Sequence, residues 1–355
     1  MYLWLLLPVS AVLVLLAKLN NYWVEHFFVP FIYRPLSYVV GTLVSLVPFS
    51  VTELLLLPLS ALLIFYIVRV ILKIKKTRRI KRELYKVFVN FVCLVSCALF
   101  LFEMCMGLNY YRTPASEYLG LDVRESTVDE LYDLCEYLVN IMNESRAKLP
   151  TDKNGVALLC DQNREQTSES ARLAYKSLAE KYPFLKSADI RNKPLVSSKL
   201  FSMVLTTGIY IPYTFESNIN VDVPEFTIPA TMCHELTHYR GFMREDEANF
   251  LGYLACMQSP RADFRYSGAY MAFNYCYSAL YNENVDLAKQ IANMCDDGII
   301  TDVVAEDNYW APYRNTVVSQ VSGEVYDTYL NLNDQQSGLK SYGEMIDLLL
   351  AFMRE

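Results

Sequence analysis

The stretch CHELTHYRGFMREDEANFLGYLAC, Cys233 to Cys256, decides how this chain is read. It holds two of the three histidines in 355 residues, His234 and His238, four apart, with Glu235 directly after the first. The pattern is H-E-x-x-H. Pro229 suits a first helical turn, where its missing N–H has no partner to lose. Gly241 suits a C-terminal stop, so the spacing predicts a helix between them. Residues four apart lie on one helix face, about one turn from each other. Two imidazoles so placed can grip one zinc ion. Glu235 is rotated about 100° from His234 and can reach a metal-bound water rather than the metal. There it would take the water's proton and hand it to a leaving amine. Cys233 points elsewhere on the helix and reads as core.

A catalytic zinc needs a third protein ligand and one open position. In the longer pattern H-E-x-x-H-x-x-G-x-x-H, Gly241 supplies the glycine, but Arg244 stands at the third-ligand position and cannot ligate. Glu245 follows it. The helix expected over Met243–Met257 carries Glu245, Ala248, Asn249, Gly252 and Cys256 on one stripe. These are small or polar, so a neighbouring helix can approach closely. Glu247 instead leads the apolar stripe of Phe250, Leu251 and Leu254. Glu245 is therefore expected to face the histidine helix as third ligand, with Glu247 the alternative. Asn249, one turn on, can orient a histidine. A further donor is needed opposite the base. Tyr266, Arg265 and Tyr239 are the candidates, and Tyr266 is the choice.

Hydrophobic residues reach 53% and charged residues only 20%, more apolar than an ordinary soluble chain. The excess lies before residue 107. Net charge is −7, which argues against nucleic acid, because phosphate binding needs a basic surface. The expectation is a membrane region, 1–107, followed by one globular domain, 108–355. Spans are expected at about 1–19, 51–72 and 87–107, each long enough for a bilayer. The first reads as an uncleaved anchor, since no basic n-region or A-x-A site marks a signal peptide. Between the first two, Pro30, Pro35, Gly41 and Pro48 interrupt an apolar stretch. It is expected to be an interfacial or re-entrant segment, 20–50, with its aromatics at headgroup level. His26 falls there and reads as interfacial. The basic run KIKKTRRIKRELYK, 73–86, reads as a cytoplasmic loop. That puts the N-terminus inside and everything after Gly107 outside. Asn90 and Glu103 are the strongly polar residues of the third span, too few for a solute pathway.

The globular part reads as mostly helical. An N-cap at Ser126 opens a helix whose apolar stripe runs from Leu131 to Met142. A second helix spans about Ser168–Lys181, stopped by Pro183. After Cys256, helices are expected near Ser267–Tyr281, Val285–Cys295, Glu324–Leu330 and Tyr342–Met353. Between Lys199 and Val223, β-branched and aromatic residues predict short strands at Met203–Thr206 and Gly208–Tyr213. Pro212 suits an edge, and an edge can pair with an extended peptide. Nine cysteines include no C-x-x-C pair, which argues against a cysteine zinc knuckle. Their spacing fixes no disulfide pairing.

HELTH, followed by a helix with E-x-x-A-N at Glu245, Ala248 and Asn249, resembles the gluzincin-type metallopeptidases. That resemblance implies Glu245 as the third zinc ligand. The chain is also similar to an uncharacterised bacterial membrane family with three spans and an outer zincin-like domain. The pieces that carry this are PFS at Pro48–Ser50, the run from Thr231 to Cys256, FRYS at Phe264–Ser267 and KSYGxMIDLLL at Lys340–Leu350. Together they cover nearly the whole chain. They imply no substrate. The gap from His238 to Glu245 is shorter than in better-known gluzincins.

The resulting expectation is a membrane-anchored, mostly α protein. Three N-terminal transmembrane helices precede a helical α+β zincin-like domain, with a small β edge near the active-site helix. It would be a multi-pass cell-membrane protein with its C-terminal domain extracytoplasmic. As a zinc-dependent metallopeptidase it would use His234, His238 and Glu245 as ligands and Glu235 as base, with Tyr266 assisting. Its partners would be the lipid bilayer and a peptide or protein substrate. The alternative is a non-catalytic zinc-binding envelope sensor or scaffold. Oligomeric state is not set by the sequence.

Overall fold

The structure is a computed structural model, and it describes residues 2–161, 163–332 and 342–355. Met1, where the first expected span begins, and Lys340 and Ser341 of the C-terminal motif lie outside the described residues. The chain forms two compact units. One comprises Met1–Arg112 with Ile211–Glu216, and the other Thr113–Tyr210 with Ser217–Glu355.

In the first unit, a single 3-10 turn leads into α1, Leu6–Leu19. The apolar stretch Leu3–Leu19 falls short of the length that marks a span; 17 helical residues rise only about 25 Å against a ~30 Å hydrocarbon core. The next segment departs from the expectation of an interrupted interfacial stretch. A π-helix, Val24–Tyr33, runs directly into α2, Arg34–Val44, and the two make one continuous apolar helix long enough to cross a membrane. The prolines do not break it. Pro30 lies inside the π-helical run, whose wider turn displaces the carbonyl a proline ring would otherwise strike. Pro35 sits in the first turn of α2, where a missing N–H is tolerated.

Ser50 caps α3, Val51–Thr77, by accepting the Glu53 N–H at 3.3 Å. This helix buries none of its side chains although it is apolar all round. A helix of that kind is stable in hydrocarbon rather than in water. Arg78, at φ 51°, ends it, and α4, Ile80–Cys105, begins two residues later. The basic run expected as a loop is thus two helix ends around a tight break. Among the described residues three helices are long and apolar enough to cross a membrane: Val24–Val44, Val51–Thr77 and Ile80–Cys105. Within this unit Arg112 pairs with Glu25 at 3.1 Å, and exposed His26 stacks on Tyr22.

The second unit is mostly helical. Its helices are α5 (Ala115–Leu119), α6 (Val128–Arg146), α7 (Arg164–Lys181), α8 (Ser198–Met203), α9 (Ile228–Tyr239), α10 (Glu245–Gln258), α11 (Ala262–Glu283), α12 (Val285–Ala292), α13 (Asp297–Trp310), α14 (Val317–Leu332) and α15 (Tyr342–Met353). The N-cap of α6 is Thr127, one residue beyond the expected Ser126, and it forms a reciprocal capping box with Glu130. Helix α13 has no counterpart among the expected elements.

Three strands, β1 (Lys193–Pro194), β2 (Gly208–Ile211) and β3 (Glu216–Ile219), form a small sheet in the order β1-β3-β2. β1 runs parallel to β3, pairing Lys193 with Asn218, and β2 is an edge strand. The expected strand Met203–Thr206 does not form. Helix α8 ends there, and Leu205 turns the chain at φ 58°.

Helix α10 is the centre of this unit. Every side chain from Asp246 to Cys256 is buried, because α7, α9, α11 and α15 pack around it. Gly252 is what lets α9 approach: a Cβ there would stand 3.1 Å from the His234 amide nitrogen. The small stripe of the sequence is the contact face of two helices.

Candidate metal centre

Pro229 falls in the first turn of α9 and Gly241, at φ 85°, just beyond its end. Thr237 holds the far face of α9 by a hydrogen bond to the buried Tyr175 hydroxyl. Arg240, on the same side, stacks over the Tyr175 ring. The near face presents both histidines to the N-terminus of α10.

There His234, His238 and Glu245 converge. The two Nε2 atoms are 3.0 Å apart. Glu245 Oε2 lies 3.2 Å from His234 Nε2, and its Oε1 lies 3.7 Å from His238 Nε2. Among the described residues this is the group of three His, Cys, Asp or Glu side chains whose ligand atoms lie within 4.8 Å of one another. A tetrahedral ion with bonds of ~2.0–2.1 Å would separate its donors by about 3.4 Å. The three observed distances bracket that value.

The other ring nitrogens determine what the Nε2 atoms offer. His234 Nδ1 is 2.8 Å from Asn249 Oδ1, and His238 Nδ1 is 2.9 Å from the Phe242 carbonyl. Both partners are acceptors, so each Nδ1 carries the donated proton and each Nε2 turns a lone pair inward. Two lone pairs and a carboxylate facing one another at 3–4 Å repel unless a cation lies among them. Without a metal ion, a proton takes that role. Burial pushes the His234 imidazole down, but the hydrogen bond and charge of Glu245 outweigh it and bring it to about 9. Burial holds His238 at about 4. Glu245, which burial alone would raise, is drawn down to about 2 by the two histidines, with a hydrogen bond from Tyr326 of α14 adding to the effect.

Glu235 points off the other side of His234, towards β2. It is 5% exposed, the Tyr210 backbone N–H donates to its carboxylate, and burial pushes it up to about 8. Its Oε2 has no hydrogen-bond partner. Gly208 makes the approach of β2 possible, since a Cβ there would stand 2.7 Å from Glu235 Oε1.

The structure therefore brings His234, His238, Glu245 and Glu235 to one place, with Asn249 behind His234. Glu247 is engaged elsewhere: its carboxylate accepts the Ala115 N–H at 2.7 Å and pairs with Arg244 at 3.2 Å. Tyr266 is a correction. Its ring is fully buried and its hydroxyl donates to Asp302 at 2.6 Å, so it has no proton to offer a substrate at the cluster. Tyr326, on α14, hydrogen-bonds Glu245 through its hydroxyl. Among 27 tyrosines, local spacing carried no signal for it. The nine cysteines are free thiols.

The arrangement is that of a mostly helical chain with helices long and apolar enough to cross a membrane and a second helical unit holding a histidine–carboxylate cluster. The chain belongs to the family described as a protein of unknown function, DUF3810, which it matches over residues 28–350. That region takes in most of Val24–Val44, the other two apolar helices and the whole cluster. No curated protein and no solved structure matches it.

Proposed function

We propose that this protein is a membrane-anchored zinc-dependent peptidase of gluzincin type, with a zincin-like second unit. The observation that carries the reading is the pair of inward Nε2 lone pairs, fixed by Asn249 and the Phe242 carbonyl, facing Glu245. His234, His238 and Glu245 would hold the ion. When bound, zinc would polarise a substrate carbonyl and acidify a coordinated water.

The remaining chemistry belongs to the chain. Glu235 is the proton carrier. Its buried, partnerless Oε2 is free to take a proton and to return it to a leaving amine. Burial favours its protonated form, and a cation in the adjacent cluster would favour the ionised form. Tyr326, whose hydroxyl hydrogen-bonds Glu245, would hold that ligand in place. Strand β2, an edge of its sheet, offers backbone groups to an extended peptide. The proposed topology has the basic break at Arg78–Arg79 cytoplasmic and the second unit extracytoplasmic.

Metal analysis and one substitution test the reading. The purified full chain is expected to carry about one zinc, and Glu235→Gln to keep it while peptide cleavage falls roughly 10²–10⁴-fold. A chain that retains no zinc ends the proposal at its first step. Zinc with undiminished activity in Glu235→Gln removes the catalytic role and leaves a zinc-binding sensor or scaffold.

A further inference from the structure

The cluster is largely covered within the second unit: the side chains of His234, His238 and Glu245 are 15%, 6% and 13% exposed. Its walls are α9, which carries the histidines, α10, which carries Glu245, and two elements from elsewhere in the unit. Strand β2 brings the Tyr210 ring centroid to 6.4 Å from that of His238. Helix α14 brings the Tyr326 hydroxyl, whose hydrogen bond Glu245 accepts. One side of the cluster therefore lies under α14.

These walls are held unequally. In α10 every side chain from Asp246 to Cys256 is buried. In α9 all are buried except Thr231 and His234. In α14, between Val317 and Asn331, the buried residues are Ser319 and Leu330. With Ser322 and Tyr326 they form one narrow stripe at helical spacing. Ser322 meets the Val204 carbonyl at 3.5 Å, longer than an ordinary O–H···O bond. A Cβ at Gly323, beside that contact, would have no described atom within 4 Å, so this turn of the helix stands clear of its neighbours. Elements with so little buried surface open at the lowest cost.

The start of α14 is satisfied by its own residues. The Ser319 N–H donates to the Thr316 hydroxyl at 3.0 Å, and the Thr316 N–H to the Ser319 hydroxyl at 3.1 Å. This reciprocal cap supplies partners that a helix otherwise seeks in its surroundings. Just before it, Asn315 turns the chain out of the α13 region at φ 59°. Asparagine enters that left-handed conformation more readily than most residues. A self-capped helix joined by one such turn is suited to swing as a rigid piece, because a hinge needs only a few residues to absorb the change in backbone angle.

We propose that α14 is a lid over the cluster, hinged at Asn315 and latched by the Tyr326 hydroxyl on Glu245, which lifts to admit an extended peptide. With the lid down, Tyr326 holds Glu245 and α14 blocks that side of the cluster. With the lid raised, the same side is open. Substrate meets only the raised form, so its apparent affinity is scaled by the fraction raised. This deepens the peptidase reading and rests on it for cleavage only.

The test uses the full chain in lipid nanodiscs. Backbone amides of α14 are expected to exchange at least about tenfold faster than those of α10. In the double variant Val204→Cys with Ser322→Cys, oxidation pins α14 to the turn after α8, and dithiothreitol releases it. Modification of His238 by diethyl pyrocarbonate, read by mass spectrometry on the metal-free chain, is expected to slow about tenfold on oxidation and to recover on reduction. Cleavage of a fluorogenic peptide mixture by the zinc-loaded variant is expected to fall and recover in step, while each single-cysteine variant keeps its rate. Tyr326→Phe, which cuts the latch, is expected to quicken His238 modification about tenfold. Amides of α14 as protected as those of α10 overturn the lid. So does a His238 rate that neither the lock nor Tyr326→Phe alters, and if the double variant does not fold, Tyr326→Phe decides alone. If wild type cleaves nothing, the peptidase reading fails, and exchange and modification still decide the lid because they need no turnover.

Discussion

Two carboxylates of the second unit, the largely covered Glu245 and the fully buried Asp302, differ in the sign of what surrounds them. Asp302 is fully buried. It receives Arg146 through Nε at 2.6 Å and Nη2 at 3.2 Å, the Tyr266 hydroxyl at 2.6 Å and the Ala157 N–H at 2.8 Å. One charge is matched by one guanidinium, and every partner is a donor. Glu245 faces two imidazole nitrogens whose protons are committed elsewhere. Burial is therefore a poor marker of a functional site. Imidazole nitrogens turned towards a carboxylate, an arrangement that a shared cation would stabilise, mark it better.

Three experiments sharpen or break that contrast. The largest effect is expected at the satisfied centre. Asp302→Ala strands a buried guanidinium, and stability should fall by about 3–5 kcal/mol, read by denaturant titration of the full chain. Zinc per folded molecule should be unchanged. Loss of zinc from the folded variant would mean that the two centres are not independent.

A smaller effect is expected behind the cluster. Asn249→Ala removes the acceptor that directs the His234 tautomer, and zinc affinity should drop about 10–100-fold in competition with a chelator. Wild-type affinity would show that Asn249 does not control the lone pair. The smallest effect concerns an exposed carboxylate. Glu130 is held at about 2 by Arg354, with the Thr127 N–H of its capping box and Arg124 adding to the pull. Because its folded pKa lies below the ordinary ~4.3, its contribution is present at neutral pH. That contribution is lost as pH falls from about 4.5 towards 2. Glu130→Gln should flatten the stability profile in that window alone, and an unaltered profile there would remove Glu130 as its source.

The cluster was legible because its information is local. Helical spacing put His234 and His238 on one face, and the stripe through Ala248 and Gly252 singled out Glu245 over Glu247. The same kind of reasoning failed between Asn20 and Ser50. Proline content argued for a broken segment, but a π-helical turn accommodates Pro30. That accommodation depends on hydrogen-bond register, which composition does not encode. Tyr266 was misassigned for a related reason: nearness in sequence to the two helices of the cluster says nothing of where a hydroxyl finds its acceptor. Asp302, on α13, claims it.

What the sequence determined by itself is the helix bounded by Pro229 and Gly241, the two histidines on one face and the acid on the next helix. Covalent geometry and the 3.6-residue period suffice for these. Only the tertiary structure decided that Tyr326 bonds Glu245, and that β2 lies against Glu235 while Glu216 receives the first amides of α3. Those contacts join segments far apart in the chain, and packing, which no local period specifies, selects them.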